Sequence, residues 1–350
     1  MTGIEDRNIV GIHHDRVSNT TSTDFPGHYP GVDDAWDIEK FKKEVELDIH
    51  YLADFSGNFD LKGVDTSVAN AFRRIMIADV PSVAIEYVTF MNNTSVIQDE
   101  VLAHRIGLVP LKVDPDRLEW FRRDAPAQID PATGEEIAAS NESNTITFHL
   151  HVECSRNPKA AKDETDPAKL YINSMVYARD LKYVGSAAQL EQFGGEAPVA
   201  LHPDIVIAKL RPGQEIDLYA HAILGVGSDH AKFSPVATAS YRLMPKIDIL
   251  EPITGADAVK FQKCFSEGVI GIDKNGAAFV ADARRDTVSR EVLRHEEFKG
   301  KVKLGRVRDH FIYNIESTGA MQPDEIFVKS IGILRNKALD LLAYDLSTPQ

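Results

Sequence analysis

Apolar and polar residues alternate in several short runs along the chain. In EVELDIHY, Val45, Leu47, Ile49 and Tyr51 take every second position, which predicts a half-buried strand because successive side chains point to opposite faces. TITFHLHVEC repeats the pattern with Ile146, Phe148, Leu150, Val152 and Cys154, and EIDLYAHAIL with Ile216, Leu218, Ala220, Ala222 and Leu224. VAIEYVTF and DHFIYNIES are rich in β-branched and aromatic residues and read as further strands. Several alternating strands with few long helices between them predict an antiparallel sheet module in the middle of the chain.

Three segments follow the helical period. Asp65 or Thr66 can N-cap a helix whose apolar stripe is Val68, Ala71 or Phe72, Ile75 and Met76, and Pro81 forces it to end. A short helix from about Asp99 stops at Gly107, a residue able to take the left-handed C′ conformation. The clearest helix is QPDEIFVKSIGILRNKALDLLAYDL. Pro323 sits at its first position, Asp324 and Glu325 oppose the macrodipole, and Phe327, Ile331, Leu334, Ala338 and Leu341 form a heptad-like seam. Pattern alone favours packing of that seam on the chain's own sheet over pairing with another subunit.

Between these segments lie stretches with no clear period. Residues 1–35 are polar and broken by Gly and Pro, and read as a mobile tail in which Tyr29, or the adjacent Trp36, could dock. Residues 114–144 and the run SRNPKAAKDETDPAKL read as surface loops. Residues 245–300 combine prolines, glycines and alternating charges, as a small inserted subdomain would.

Length and charge narrow the classes. With 350 residues the chain has room for about two domains and can fold without disulfides or metals. The net charge of −14 argues against a free-standing nucleic-acid binder. No apolar run approaches a membrane span, and no secretory signal is visible. Two distant cysteines, Cys154 and Cys264, exclude a disulfide framework, a multi-cysteine zinc site and a four-thiolate iron–sulfur cluster.

Candidate chemistry is sparse. His149 and His151 alternate with the apolar positions of their strand and so face solvent, and HExxH and CxxC are absent, so no metal is expected. The loop GVGSDH at 225–230 is the one stretch resembling a phosphate cradle, but it lacks both the dinucleotide glycine spacing and the Gly-Lys-Ser/Thr of a P-loop. A glycine turn is the simpler reading. Arg73 and Arg74 stand in an otherwise apolar helix; neighbours differ by about 100° around a helix, so at least one must leave the buried stripe. It either snorkels at the edge or offers its planar fork to a partner.

Four segments together resemble one family, the α-like assembly subunits of multisubunit RNA polymerases. SVANAFRRIMIADVPSVAIEYV (67–88) is similar to its Asn-Ala-Leu-Arg-Arg-Val-Leu helix. DEVLAHRIGLVPL (99–111) is similar to its Leu-Ala-His-Arg-Ile-Gly signature, GVGSDHAKFSPVATASYR (225–242) to its Gly-x-Gly-x-x-His-Ala-Lys segment, and FIYNIESTGAMQPDEIF (311–327) to the approach to its C-terminal helix. In this order they cover most of residues 44–345. The loop between Leu111 and Thr145 has no cysteine, unlike the usual polymerase II form, and the 245–300 insert holds only Cys264, unlike cluster-bearing archaeal forms. A bacterial α chain would lack the insert. What remains resembles the form shared by eukaryotic polymerases I and III.

The resemblance implies an α+β fold: a discontinuous α/β dimerisation domain (37–87 and 301–350), an inserted, mostly antiparallel β domain (88–244), a small further insert (245–300) and a flexible tail (1–36). It implies no active site, cofactor or metal. A smaller α-like subunit is the expected heterodimer partner, met by Val68, Ala71, Phe72, Ile75, Phe327, Ile331, Leu334, Ala338 and Leu341. The second-largest subunits of polymerases I and III are expected to dock on Asn70, Arg73, Arg74, His104, Arg105, His230 and Lys232, with small zinc-binding polymerase subunits as further neighbours. Sequence-specific nucleic-acid contact and membrane association are not expected. The implied role is support of rRNA, 5S rRNA and tRNA transcription in the nucleus, including the nucleolus. Two alternatives stand beside it: a polymerase II or archaeal paralogue, and a soluble enzyme using the GVGSDHAK loop on a phosphorylated substrate.

Overall fold

The protein is described by a computed structural model covering residues 8–20, 35–121, 128–129, 136–137, 140–160 and 165–344. Tyr29, most of the expected tail and much of the 114–144 loop lie outside the described residues. In chain order the principal elements are β1 (Ile9–Ile12), β2 (Val17–Ser18), α1 (Ile38–Glu44), β3 (Glu46–Ala53), β4 (Ser56–Lys62), α2 (Thr66–Ala78), β5 (Ser82–Asn93), α3 (Asp99–Gly107), β6 (Ile146–Glu153), β7 (Glu215–Gly225), β8 (Val236–Ile249), α4 (Ala256–Lys263), β9 (Val302–Ser317) and α5 (Pro323–Ala343). This is an α+β chain whose principal strands pair antiparallel in both units.

Two compact units divide the chain. One comprises Met1–Leu52, Gly57–Arg73 and Ser240–Asn314; the other comprises Ala53–Ser56, Arg74–Ala239 and Ile315–Gln350. These lines differ from those drawn on sequence, since residues 245–300 fall within the first unit and α5 within the second.

The first unit is built on a six-stranded sheet in the order β2-β1-β9-β4-β3, with β8 also pairing β9. β1 arises in a stretch without periodicity: Ile9 faces Val307 and Ile12 faces Leu304 on β9, and both isoleucines are buried. Pairing between segments nearly 300 positions apart supplies what the local pattern lacks. Residues 245–300 contribute to an apolar core with Ile253, Phe261, Phe265, Val269 and Phe298, which joins Val302 and Leu304 of β9. Their alternating charges had masked that core.

β3 departs from expectation. It forms, but as an edge strand exposed along almost its whole length, with Leu47, Ile49 and Tyr51 each about half exposed or more. The expected half-buried face is uncovered in this chain.

A buried carboxylate stands inside this unit. Asp60 on β4 is 3% exposed. Arg284, from the 245–300 stretch, donates to it through Nε at 3.1 Å and Nη2 at 2.8 Å, and His310 Nε2 lies 2.9 Å from its second oxygen. His50 Nε2 approaches to 3.3 Å. Arg284 also reaches Asn58, and Arg242 holds the turn by donating to the carbonyls of Arg284 and Asp286. Burial pushes the Asp60 carboxyl up, but the hydrogen bonds and charges of Arg284 and His310 outweigh it and leave the group below its ordinary value. Nearby, Tyr313 is fully buried, stacks on Phe59 at 5.1 Å and donates its hydroxyl to the Ala69 carbonyl.

The second unit centres on a four-stranded antiparallel sheet in which β7 lies between β6 and β5, with Lys182–Tyr183 on the far edge of β6. Alternation is reproduced: Ile146, Phe148, Leu150, Val152, Ile216, Leu218, Ala220 and Ala222 are all buried. Leu102 and Ile106 of α3 share that core. Cys154 and Cys264 are both buried, and burial pushes both thiols up.

Candidate functional site

α2 starts where its cap predicts. The Asp65 carboxylate accepts from Ser67 N at 2.7 Å, and its carbonyl accepts from Ala69 N at 3.1 Å. The Ser67 contact leads in holding that carboxyl below its ordinary value. Among the expected interface residues, Phe72 (9% exposed) and Ile75 (4%) are buried, while Val68 and Ala71 are half-buried. Ala69 and Met76 share the buried face at 0% exposure. Arg73 turns back on its own helix, donating through Nε at 3.0 Å and Nη2 at 2.9 Å to Asn70 Oδ1, one turn earlier. Arg74 is exposed.

α5 is divided along its length. Pro323, Ile326, Phe327 and Ser330 are buried, so the first two turns are anchored. A reciprocal pairing of Gln322 and Glu325 caps its start. Beyond Ser330 the apolar residues emerge: Ile331 is 44% exposed, Leu339 48%, Leu341 77% and Leu342 82%. Leu334 is half-buried and Ala338 exposed. The five-residue seam read from sequence is therefore two things, a buried anchor at Phe327 and an open face from Ile331 onward. An ion pair of 2.7 Å joins Lys337 to Asp79.

The residues of the two remaining signatures meet in the second unit. Lys232 is largely buried, donating to the Ile85 carbonyl at 2.8 Å and pairing with Glu86 at 2.6 Å. Arg105 donates its fork to the carbonyls of Ile207 and Val206, both at 2.9 Å. His230 Nδ1 accepts from Lys232 N at 3.1 Å, and its ring lies edge-on to that of His104 at 6.3 Å. His104 and His230 are exposed, so they alone of these four leave their rings open to a partner.

The glycines of these signatures have packing reasons. A Cβ on Gly227 would stand 2.1 Å from the Ile77 carbonyl oxygen, which no residue with a side chain tolerates. Ser228 N donates to the Ala78 carbonyl at 2.9 Å, so the loop closes the end of α2. Gly107 does not take the expected left-handed conformation. It is the last helical residue of α3, and a Cβ there would press on the Ile85 carbonyl at 3.3 Å. The GVGSDHAK loop therefore acts as a helix cap and a packing element, with the N–H groups of Ser228, Asp229, His230 and Lys232 engaged within the chain.

Sequence reasoning missed one grouping. His149 and His151 do lie on the outer face of β6, but carboxylates of β7 stand beside them: donor atoms of His151, Glu215 and Asp217 all fall within 4.8 Å of one another. The spacing of the histidines along the chain gave no sign of these carboxylate neighbours. The strand register that joins them is long-range and leaves no local trace.

Residues 58–338 match the profile of the RNA polymerase Rpb3/Rpb11 dimerisation domain. The chain is 61% identical over 332 residues to the DNA-directed RNA polymerases I and III subunit RPAC1 of Saccharomyces cerevisiae, covering 95% of this chain and 96% of that one. It is 48% identical over 326 residues to the protein of the same name from Homo sapiens, covering 92% and 90%. Against the DNA-directed RNA polymerases II, IV and V subunit 3 of Arabidopsis thaliana, identity is 31% over 308 residues, covering 85% and 90%. With the helix α2, the capped loop and the C-terminal helix in place within the matched region, the chain belongs to the RNA polymerase Rpb3/Rpb11 dimerisation family.

Proposed function

We propose that this chain is a non-catalytic assembly subunit of RNA polymerases I and III, acting in the nucleus, where it pairs with a smaller α-like subunit and carries the second-largest subunit of each enzyme. The observation that supports this most strongly is the open half of α5. Ile331, Leu339, Leu341 and Leu342 are all exposed on the second half of one helix, and large apolar side chains gathered in the open in this way mark an association site. The identity of 61% to the polymerase I and III relative against 31% to the polymerase II, IV and V relative favours the shared form over its paralogue. The N–H groups of Ser228, Asp229, His230 and Lys232 in the GVGSDHAK loop bond within the chain, which speaks against a phosphate-binding enzyme. Affinity purification of the tagged chain from native extract is expected to recover the smaller α-like subunit and the second-largest subunits of both polymerases I and III. Recovery of polymerase II subunits instead, or of neither, would overturn the assignment.

We place docking of the second-largest subunit on Arg74, His104 and His230 in preference to Arg73, Arg105 and Lys232, whose side chains already bond to Asn70, to the Val206 and Ile207 carbonyls, and to Ile85 and Glu86. Arg74→Ala is expected to weaken that docking by about 2 kcal/mol, roughly thirtyfold, and to leave the heterodimer intact. Titration of the purified mutant heterodimer with the second-largest subunit reads this directly, and unchanged affinity would remove Arg74 from the interface.

A further inference from the structure

We propose that His151, Glu215 and Asp217, supported by His149 and Asn92, form a binding site for a divalent transition-metal ion of the zinc class on the outer face of the second unit's sheet. The register of β6 and β7 sets Asp217 opposite His151, with Tyr219 opposite His149 and Glu215 opposite Glu153. The alternate residues of both strands are buried, so these side chains share one face.

Each carboxylate has one oxygen held and one presented. Glu215 Oε2 accepts from Asn92 Nδ2 at 2.8 Å, and Asp217 Oδ1 lies 2.8 Å from His149 Nε2. The other oxygens face one nitrogen: His151 Nδ1 is 3.5 Å from Glu215 Oε1 and 3.7 Å from Asp217 Oδ2. Both separations are longer than a hydrogen bond. They approach the about 3.3–3.6 Å between neighbouring donors of a tetrahedral centre whose ligand bonds are about 2.0–2.2 Å. The two carboxylate oxygens lie within 4.8 Å of each other, and a cation between the three donors would draw them together and turn the two loose His151 contacts into short bonds.

The supporting residues are also fixed. His149 stacks on Tyr219 with ring centroids 4.6 Å apart and an interplanar angle of 20°. A histidine that orients a ligating carboxylate is a recurrent outer partner at metal centres. Among the described residues, the ion-pair partners of both carboxylates are histidines. Donors of one imidazole and two carboxylates suit zinc better than a soft, thiolate-seeking ion. The fourth position faces outward, since His151 is the most exposed of the three, and a water or a donor from a neighbouring chain could complete it. The ion would staple β6 to β7.

The test uses the full-length chain without a polyhistidine tag. Zinc chloride is titrated in competition with a chromophoric chelator, and cobalt(II) is substituted to report coordination by its visible spectrum. One ion per chain is expected, with the intense d–d bands of a four-coordinate site. Asp217→Asn and His151→Ala should each weaken zinc by about a hundredfold or more, and His149→Gln by about tenfold. His13→Ala/His14→Ala should leave affinity unchanged. Zinc should raise the melting temperature of the wild type and not that of His151→Ala, which also shows that the variant is folded. Equal binding by wild type and His151→Ala, an octahedral cobalt spectrum, or loss of binding only in the His13/His14 variant would each overturn the proposal.

Discussion

Leu334→Asp is expected to abolish recovery of the heterodimer while leaving the second unit folded. The reason lies in the division of α5. Its first two turns are held by Pro323, Ile326, Phe327 and Ser330, all buried, whereas the turns after Ser330 expose Ile331, Leu341 and Leu342. Each large aliphatic side chain that a partner covers contributes about 1.5–3 kcal/mol. A carboxylate forced into that covered face costs several kcal/mol more unless it finds a partner. Together these exceed about 4 kcal/mol, a thousandfold in affinity. In the unpaired chain Leu334 is only half-buried, so the same substitution costs folding much less. Phe327→Asp makes the contrast: Phe327 is 6% exposed, and a charge there should unfold the helix anchor already in the free chain and lose the partner through that unfolding. Co-purification with the smaller subunit and circular dichroism of the free chain separate the two outcomes. Heterodimer recovery at wild-type yield from Leu334→Asp would show that this face of α5 is not the interface.

The same helix shows what a pattern can and cannot carry. Spacing located α5, its first turn and its seam, because helix-start preferences and amphipathicity are local properties. Where the seam passes from buried to open depends on what lies against it, which spacing does not record. The strands β6 and β7 were legible for the same reason, since alternation directly reports one buried face. β1 was not, because its two buried isoleucines matter only through pairing with β9. β3 was legible as a strand and misleading as to burial, since alternation reports a face that wants cover and not whether this chain supplies it. Lys232 and Arg105 were visible as signature residues, but their roles as internal pins required the carbonyls of Ile85, Val206 and Ile207, which no motif contains. The His151, Glu215 and Asp217 group was invisible because its members come from strands some sixty positions apart.

Asp60 left a weak trace, a single acid within the strand SGNFDLK, and its removal carries the second large effect. Asp60→Ala is expected to destabilise the first unit by about 3–5 kcal/mol, because it leaves the guanidinium of Arg284 and the ring of His310 without their buried counter-charge. The pin joins β4 to the 282–286 turn, so the loss should concentrate there. Hydrogen exchange should accelerate more than a hundredfold in β4 and in residues 282–286 while the second unit's sheet is unchanged. Asp60→Asn keeps the shape and some hydrogen bonds and should fall between wild type and Asp60→Ala. The pH dependence follows from the sign of the shift. The Asp60 carboxyl is depressed in the folded state, since Arg284 and His310 outweigh the opposing effect of burial. Its contribution is therefore complete above the ordinary aspartate value of about 3.9 and is lost as pH falls from there through the lower folded value. Wild type should lose first-unit stability steeply below about pH 4, and Asp60→Asn should lack that component. Parallel acid profiles for the two proteins, or uniform exchange across both units in Asp60→Ala, would mean that the pin does not hold the 245–300 stretch to its sheet.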